Sequence, residues 1–199
     1  MLQNPKKRPL AYFLTFTTYG TWLHGDNRTS VIRKTKNEAA RQISPHLKLF
    51  NMMQHHLKEN SYEMTRDERN IVLNTIKTSC KINRWFLHAL HVRSNHVHAV
   101  IDADQLPEYI AGKFKANASR ELKQLPKNQS RQKFWTRHAS TQYLWSEHDM
   151  HFAMQYVIEQ QGVKHAYAHA AWYQTDIDYL AIRETRTLLT CTREGGTPG

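Results

Sequence analysis

The sequence predicts an α+β sandwich of the ferredoxin-like βαββαβ kind: a four-stranded antiparallel sheet with helices on one face, plus a C-terminal helix. Two observations predict this fold. Segments rich in β-branched and aromatic residues alternate with segments of helical periodicity in the order β-α-β-β-α-β, and one more helical segment follows. The other face of such a sheet stays available for a ligand or a partner.

The length of 199 residues fits one domain with elaborations. We assign residues 1–165 to this domain, with an insertion at about 20–60, and residues 166–199 to a C-terminal extension. Within the insertion we expect short helices near 36–42 and 46–58. Connections as long as this one are uncommon and are often functional.

The first strand and the first long helix have clear local signals. Residues 10–18 (Leu-Ala-Tyr-Phe-Leu-Thr-Phe-Thr-Thr) are typical of a strand. The helix begins at the capping residue Thr65, which two acidic residues follow, and it should end near Asn83. The apolar face of this helix is predicted to contain Val72, Ile76 and Cys80.

Two strands, at 85–92 and at 96–102, are predicted next, joined by a tight turn at Arg93-Ser94. Pro107 lies in the first turn of a second helix. The buried line of that helix is predicted to be Ile110, Phe114, Ala118 and Leu122.

The last third of the domain contains a strand and a helix. We expect the fourth strand at 134–144 and the last long helix at 147–161, where Gly162 would end it. A short helix near 174–184 and a loose tail complete the chain.

The net charge of +11 is the first indication of function. Lys and Arg alternate with aromatic residues, for example in 81–85, 113–115 and 131–137. Cations neutralise phosphates and aromatic faces stack on bases, so this mixture suits a nucleic acid. A generally basic surface without a polyanionic partner is the alternative.

The composition argues against a membrane protein and against a secreted one. No apolar run reaches the roughly 18–20 residues that a membrane helix needs. The basic N-terminal segment is not followed by the apolar run of a secretory signal. With Cys80 and Cys191 as the only two cysteines, a disulfide framework is not predicted, and we expect a cytoplasmic protein.

A His-Val-His sequence provides the first candidate site. His96 and His98 flank one apolar residue within a predicted strand, and side chains alternate along a strand, so both imidazoles point to the same face. Two neighbouring imidazoles make half of a metal site. Exposed histidines without a ligand are the alternative. A structural zinc site is disfavoured because no Cys-x-x-Cys or second His pair accompanies them.

The last helix provides the second candidate site. Tyrosine can act as a nucleophile, and Tyr156 lies on a stripe of this helix with a spacing of four. The stripe consists of His148, Phe152, Tyr156 and Gln160. In the alternative interpretation, Phe152 and Tyr156 are core aromatics of an amphipathic helix. Ala153 and Val157 form a parallel apolar line that should pack on the sheet.

Together these motifs resemble the single-tyrosine HUH transposases, which include the REP-associated tyrosine transposases. The resemblance rests on residues 95–98 (Asn-His-Val-His) followed by 156–160 (Tyr-Val-Ile-Glu-Gln). Residues 12–16, 135–138 and 143–145 are also similar to members of this superfamily. It covers roughly residues 10–165.

The resemblance implies a ferredoxin-like fold and a DNA transposase that cleaves and rejoins single-stranded DNA. In the family, the two histidines and a polar residue of the tyrosine helix hold Mg²⁺ or Mn²⁺, and the tyrosine forms a 5′-phosphotyrosine link and frees a 3′-OH. Carried over, His96 and His98 are metal ligands and Tyr156 is the nucleophile. Gln160 is the third ligand, with Gln161 in reserve.

Family members often bind a DNA hairpin beside the cleavage site, and the resemblance implies a similar partner here. Our candidates for the DNA-binding surface are Lys113, Lys115, Arg120, Arg131, Lys133 and Arg137. For each of them a solvated surface position is the alternative. Trp135 and Trp145 could stack on bases or pack in the core. DNA as substrate implies a cytoplasmic, nucleoid-associated protein.

The sequence also departs from the family pattern. Many REP-associated members carry Asn-Pro after the tyrosine helix, where this chain has Gln160-Gln161, and many have Met-Pro where it has Arg93-Ser94. The branch therefore stays open, and with it the choice between a monomer and a homodimer in which the tyrosine acts in trans. The rival functions are a domesticated hairpin-DNA-binding protein without strand transfer and a replication-initiator or relaxase nickase.

Overall fold

The computed structural model describes residues 8–26, 30–32, 41–159 and 169–170. Its first half contains strands β1 (Ala11–Thr17), β2 (Ser30–Ile32) and β3 (Arg41–Ile43) and helices α1 (Leu47–His55) and α2 (Arg66–Asn83). Its second half contains strands β4 (Phe86–Val92), β5 (His96–Asp102), β6 (Ser140–Leu144) and β7 (His169–Ala170) and helices α3 (Pro107–Leu122) and α4 (Glu147–Glu159).

The central sheet has the order β6-β1-β5-β4-β7, and its strands pair antiparallel. The four predicted strands, counted along the chain, therefore lie in the order 4-1-3-2. This order, with α2 and α3 as the two crossovers, is the ferredoxin-like arrangement, so the predicted fold class is confirmed. The two-residue strand β7 extends the sheet beside β4.

The two crossover helices form where the sequence predicts them. A capping box starts α2: the side chain of Thr65 accepts from the backbone of Glu68, and the Glu68 carboxylate accepts from the backbone of Thr65. Arg84, in the left-handed conformation with φ 56°, ends it. Pro107 occupies the first turn of α3, and the predicted apolar line of this helix is fully buried.

Each face of the sheet has its own apolar core. α2 and α3 cover one face, where the buried residues include Leu14, Phe16, Ile76, Val97 and Phe114. α4 covers the other face, where the cluster consists of Ala11, Ala89, Val100, Leu144, Ala153, Met154 and Val157. We expected the second face of the sheet to be available for a ligand or a partner. It is in part covered by α4, the helix that carries Tyr156.

Glu68 is a buried carboxylate that ties α2 to two loops. It accepts hydrogen bonds from the Tyr62 hydroxyl (3.0 Å), the Thr65 backbone (2.8 Å) and Asn128 Nδ2 (2.7 Å), and its nearest cation is Lys127 at 3.2 Å. Burial on its own would raise the pKa of Glu68, but these hydrogen bonds stabilise the charged form and lower the pKa to about 2.

Some predicted boundaries are wrong. Residues 41–43, placed partly in a short helix, instead form β3, because their backbone pairs with β2 in a two-stranded sheet. The fourth strand begins at Ser140 and not at 134, since Trp135 makes only an isolated bridge to Thr18. The helix expected at 46–58 is present as α1, whereas the helix expected near 174–184 lies outside the described residues.

None of the helices in the described part of the chain combines the length and the apolar character that crossing a bilayer requires.

Candidate active site

The two predicted metal ligands lie side by side on the face of β5 that α4 covers. The ring centroids of His96 and His98 are 4.7 Å apart. His98 is 6 % exposed, and His96 is half-buried at the end of the strand where β5 begins. The strand alternation that the sequence predicted therefore brings the two imidazoles together.

Each of these imidazoles makes a hydrogen bond through Nδ1. Nδ1 of His98 lies 2.7 Å from the hydroxyl of Thr15, its direct cross-strand partner on β1. Nδ1 of His96 lies 2.7 Å from Oδ1 of Asn95. Because a carbonyl oxygen only accepts, Nδ1 of His96 carries the hydrogen of this bond.

This pattern fits a metal site. Histidine ligands commonly bond a protein oxygen through one ring nitrogen and coordinate through the other. Within the described ranges, no three His, Cys, Asp or Glu side chains converge as a ligand set. The predicted third ligand Gln160 and its reserve Gln161 both lie outside the described residues.

Tyr156 meets the histidine pair from α4. Its ring contacts His98 edge-on, with 5.5 Å between the ring centroids, and Phe13 in the same manner at 5.9 Å. Tyr156 is 39 % exposed and Phe152 is 56 % exposed, so the interpretation of these two residues as core aromatics is wrong. His96, His98 and Tyr156 thus form one cluster that solvent can reach.

The neighbouring stripe of α4 holds the tyrosine in place. Ala153 and Val157 are buried against the sheet, as predicted. The carbonyl oxygen of Val157 also lies 3.0 Å from Nδ1 of His91, a buried histidine of β4. Because His91 pairs directly with His98 across the two strands, this contact joins the tyrosine helix to the histidine strand.

Three residues beside the cluster were not predicted from the sequence. Thr15 and His91 flank His98 on the two neighbouring strands. Trp22, 40 % exposed, has its ring centroid 6.2 Å from that of His96. Thr15 and His91 can be identified only from the strand registers, which the sequence does not specify. No sequence signal marks Trp22.

The basic residues predicted on α3 differ in their surroundings. Lys113 and Arg120 are exposed, and Lys113 Nζ lies 5.6 Å from the centre of the Tyr109 ring. Lys115 is half-buried, and its ammonium donates to the carbonyl oxygens of Thr136 (3.0 Å) and of His138 (2.9 Å). Burial lowers the pKa of Lys115 to about 8. These three residues lie on α3, which covers one face of the sheet. The histidine pair lies on the other face.

Arg131 is held by contacts within the protein. Its guanidinium lies 3.5 Å from the carboxylate of Glu59, donates to the carbonyl oxygen of Asn60 at 3.1 Å and lies over the ring of Tyr62. Its side chain is only 17 % exposed. Arg131 therefore anchors the 126–133 loop to the segment before α2.

Lys133 and Arg137 line a cavity of about 410 Å³ together with Tyr19 and Trp135. The cavity adjoins the histidine end of β5: Thr136, another lining residue, lies 3.0 Å from Thr17, and Thr17 is the cross-strand partner of His96. Aromatic walls with two cations at the rim suit an unpaired nucleotide.

The two tryptophans predicted as stacking residues have different roles. Trp135 packs edge-on against Phe16, and its indole N–H lies 3.1 Å from the carbonyl oxygen of Lys115, so it belongs to the core on its inner side. Trp145 is 47 % exposed and stacks on Tyr143 with a ring separation of 6.1 Å.

The model of a family described as IS200-like transposases matches residues 48–160, which is more than half of the chain. No curated protein sequence matches.

Two solved structures are similar in fold. One, a REP-associated tyrosine transposase bound to a REP hairpin, has a TM-score of 0.45 and 8 % identity, over 76 % of this chain and 66 % of that one. The other, a candidate transposase from Deinococcus radiodurans R1, has a TM-score of 0.44 and 13 % identity, over 77 % of this chain and 92 % of that one.

Proposed function

The chain belongs to the family of IS200-like transposases, and from this premise we propose that it cleaves and rejoins single-stranded DNA with Tyr156 as the nucleophile. The observation that carries the proposal is the contact between the rings of Tyr156 and His98, whose centroids are 5.5 Å apart. A candidate nucleophile, an imidazole pair and access to solvent meet at this point, a combination that can support metal-assisted nucleophilic attack on a phosphate.

The proposed reaction exchanges one phosphodiester bond for another. The phenol oxygen of Tyr156 attacks phosphorus and its proton passes to solvent, while the bond from phosphorus to the 3′ oxygen of the preceding nucleotide breaks and that oxygen takes up a proton from solvent. The products are a 5′-phosphotyrosine link and a strand with a free 3′-OH. Attack by the 3′-OH of another strand on the phosphotyrosine reverses these changes and joins the two strands.

We propose that His96 and His98 would hold Mg²⁺ or Mn²⁺, with Gln160, or Gln161 in reserve, as a third ligand. When bound, the ion supplies charge neutralisation on the scissile phosphate. The hydrogen bonds that Asn95 and Thr15 make with Nδ1 of His96 and of His98 fix the orientations of the two rings.

We further propose that Tyr156 serves the histidine pair of its own chain. The ring contact with His98 and the packing of Val157 on the sheet are both made within one molecule. A monomer then contains a complete site. Complementation between two inactive variants tests this arrangement.

The proposed substrate is single-stranded DNA next to a hairpin. The net charge of +11 favours binding to phosphates. The cavity lined by Lys133 and Arg137 is our candidate for an unpaired nucleotide near the cleavage site, and the exposed Lys113 and Arg120 are candidates for the hairpin backbone. With DNA as the substrate, we place the protein in the cytoplasm at the nucleoid.

A labelled-substrate assay tests the proposed function. The full chain is incubated with Mn²⁺ and a DNA hairpin that carries single-stranded flanks and a label at either the 3′ or the 5′ end. We expect a covalent complex that resists detergent and carries only the 3′ label, together with a released 5′-labelled strand that ends in 3′-OH. A chelator should abolish both products.

The binding-only alternative predicts another outcome. Tight binding of the same hairpin without any covalent complex, at all divalent-ion concentrations, would identify a hairpin-binding protein and contradict the proposal. A complex that carries the 5′ label instead would show the opposite polarity of attachment.

A further inference from the structure

His91 is a buried histidine whose contacts bridge the two halves of the proposed site. It is 1 % exposed and lies on β4, directly opposite His98 of β5. Its Nδ1 lies 3.0 Å from the carbonyl oxygen of Val157, the residue that follows Tyr156. A carbonyl only accepts hydrogen bonds, so Nδ1 of His91 is the donor.

The acceptor lies close to the proposed nucleophile along α4. Val157 is near the end of the described part of this helix, which extends over Glu147–Glu159. The hydrogen bond from His91 to this carbonyl fixes how far this turn of α4 lies from the sheet and how it is rotated about the helix axis.

The rotation matters because of what the same turn carries. The side chain of Val157 is fully buried among Ala89 and Val100, while the ring of Tyr156, one residue earlier, contacts His98. A helix anchored only by its apolar stripe can rock about that stripe, since apolar packing is not directional. A hydrogen bond from β4 opposes this rocking because it has a preferred direction.

We propose that His91 is a positioning residue for strand cleavage: it clamps the last turn of α4 to the sheet and so sets the place of Tyr156 relative to His98. This inference rests on the proposed function of Tyr156 and adds a residue to it. His91 acts through the backbone of Val157 and does not touch the substrate. A misplacement of about 1 Å can reduce a rate by about a hundredfold, so the clamp should affect the chemical step.

The experiment compares three variants. His91→Leu removes the donor and keeps an apolar side chain, whereas His91→Asn keeps an N–H donor near the position of Nδ1. His88→Leu is the matched control, because His88 is a buried histidine of the same strand whose ring packs at a tilt against Phe86 and lies outside the site. Hairpin affinity, the single-turnover rate of adduct formation and amide hydrogen exchange are measured for each.

We expect His91→Leu to bind the hairpin within about twofold of the wild type, to form the adduct at least about tenfold more slowly, and to exchange the amides of α4 about tenfold faster. His91→Asn should recover most of the rate. The amides of β1 and β5 should keep their protection in both variants. His88→Leu should leave the rate and the exchange in α4 unchanged.

The proposal is overturned if His91→Leu forms the adduct at the wild-type rate, if the exchange of α4 does not change, or if His88→Leu slows the adduct equally. If the wild type itself forms no adduct, the function proposed for Tyr156 fails, and the hydrogen exchange of α4 alone decides whether the clamp exists. Failure of the clamp and failure of the function are therefore distinguishable.

Discussion

The hydroxyl of Thr15 lies 2.7 Å from Nδ1 of His98, and the two residues face each other as cross-strand partners on β1 and β5. This hydrogen bond fixes the orientation of the imidazole that also contacts Tyr156. The orientation of this proposed metal ligand thus depends on a threonine that precedes it by 83 residues of sequence.

Replacing Thr15 with Val removes this hydrogen bond and keeps the shape of the side chain. We expect Thr15→Val to weaken Mn²⁺ binding by about ten- to a hundredfold, the usual effect of losing a hydrogen-bond partner of a ligand. Calorimetric titration with Mn²⁺ measures it. Thr15→Ser is the control, since it keeps the hydroxyl and should stay close to the wild type. Equal affinities of the Val and Ser variants would contradict the role of the hydroxyl.

The contact of Tyr156 with His98 of its own chain predicts a failure of complementation. A mixture of Tyr156→Phe and His98→Ala should form no adduct, because neither molecule contains both groups. If the tyrosine acted in trans, mixed dimers would regain one intact site. Recovery of about a quarter or more of the wild-type activity in the mixture, as statistical dimer formation implies, would exclude the arrangement in cis.

Glu68 predicts the acid stability of the fold. Its folded-state pKa of about 2 lies below the ordinary value of 4.5, so the carboxylate contributes stability above pH 4.5 that is lost as the pH falls towards 2. We expect Glu68→Gln to lower the free energy of unfolding at pH 7 by on the order of 3 kcal/mol. Urea denaturation at pH 7, 5 and 3 measures it.

The same series includes its own internal check. The difference between wild type and Glu68→Gln should shrink as the pH is lowered, because protonation removes the advantage of the wild type. A difference that is the same at pH 7 and at pH 3 would show that the charge of Glu68 is not what stabilises the network.

Two arginines predicted to bind DNA are expected to behave differently. Arg137→Gln should weaken hairpin binding and reduce by about one the slope of log affinity against log salt, since it removes an exposed cation that we propose binds a phosphate. Arg131→Gln should lower the free energy of unfolding by about 1–2 kcal/mol, because its contacts with Glu59, Asn60 and Tyr62 are lost.

Binding measured at several salt concentrations, together with thermal unfolding, separates the two effects. An unchanged salt slope in Arg137→Gln would remove this residue from the DNA-binding surface. An unchanged melting temperature in Arg131→Gln would show that its internal contacts contribute nothing to the fold.

The sequence predicts those parts of the fold that depend on local patterns. The alternation in β5 places His96 and His98 on one face, and the spacing of four in α3 identifies Ile110 and Phe114 as core residues. The capping pattern at Thr65 predicts the start of α2 to within a residue. Each of these features depends only on neighbours along the chain.

What the sequence does not predict depends on contacts between distant segments. Thr15 and His91 become neighbours of His98 only through the strand registers, which are set by packing of the whole sheet. Residues 134–139 have the composition of a strand but do not continue the pairing of β6 with β1. The ammonium of Lys115, on a helix distant in sequence, donates hydrogen bonds to the carbonyl oxygens of Thr136 and His138.

Tyr156 is the residue that we propose becomes joined to DNA. The most direct test is peptide mapping, by mass spectrometry, of the covalent complex formed with Mn²⁺ and a hairpin substrate, together with the variants Tyr156→Phe and Tyr143→Phe. Tyr143 is the matched control because it too is 39 % exposed. We expect the nucleotide on Tyr156, no adduct with Tyr156→Phe at undiminished hairpin affinity, and normal adduct formation with Tyr143→Phe. A nucleotide attached to any other residue, or an adduct that persists in Tyr156→Phe, would contradict the account.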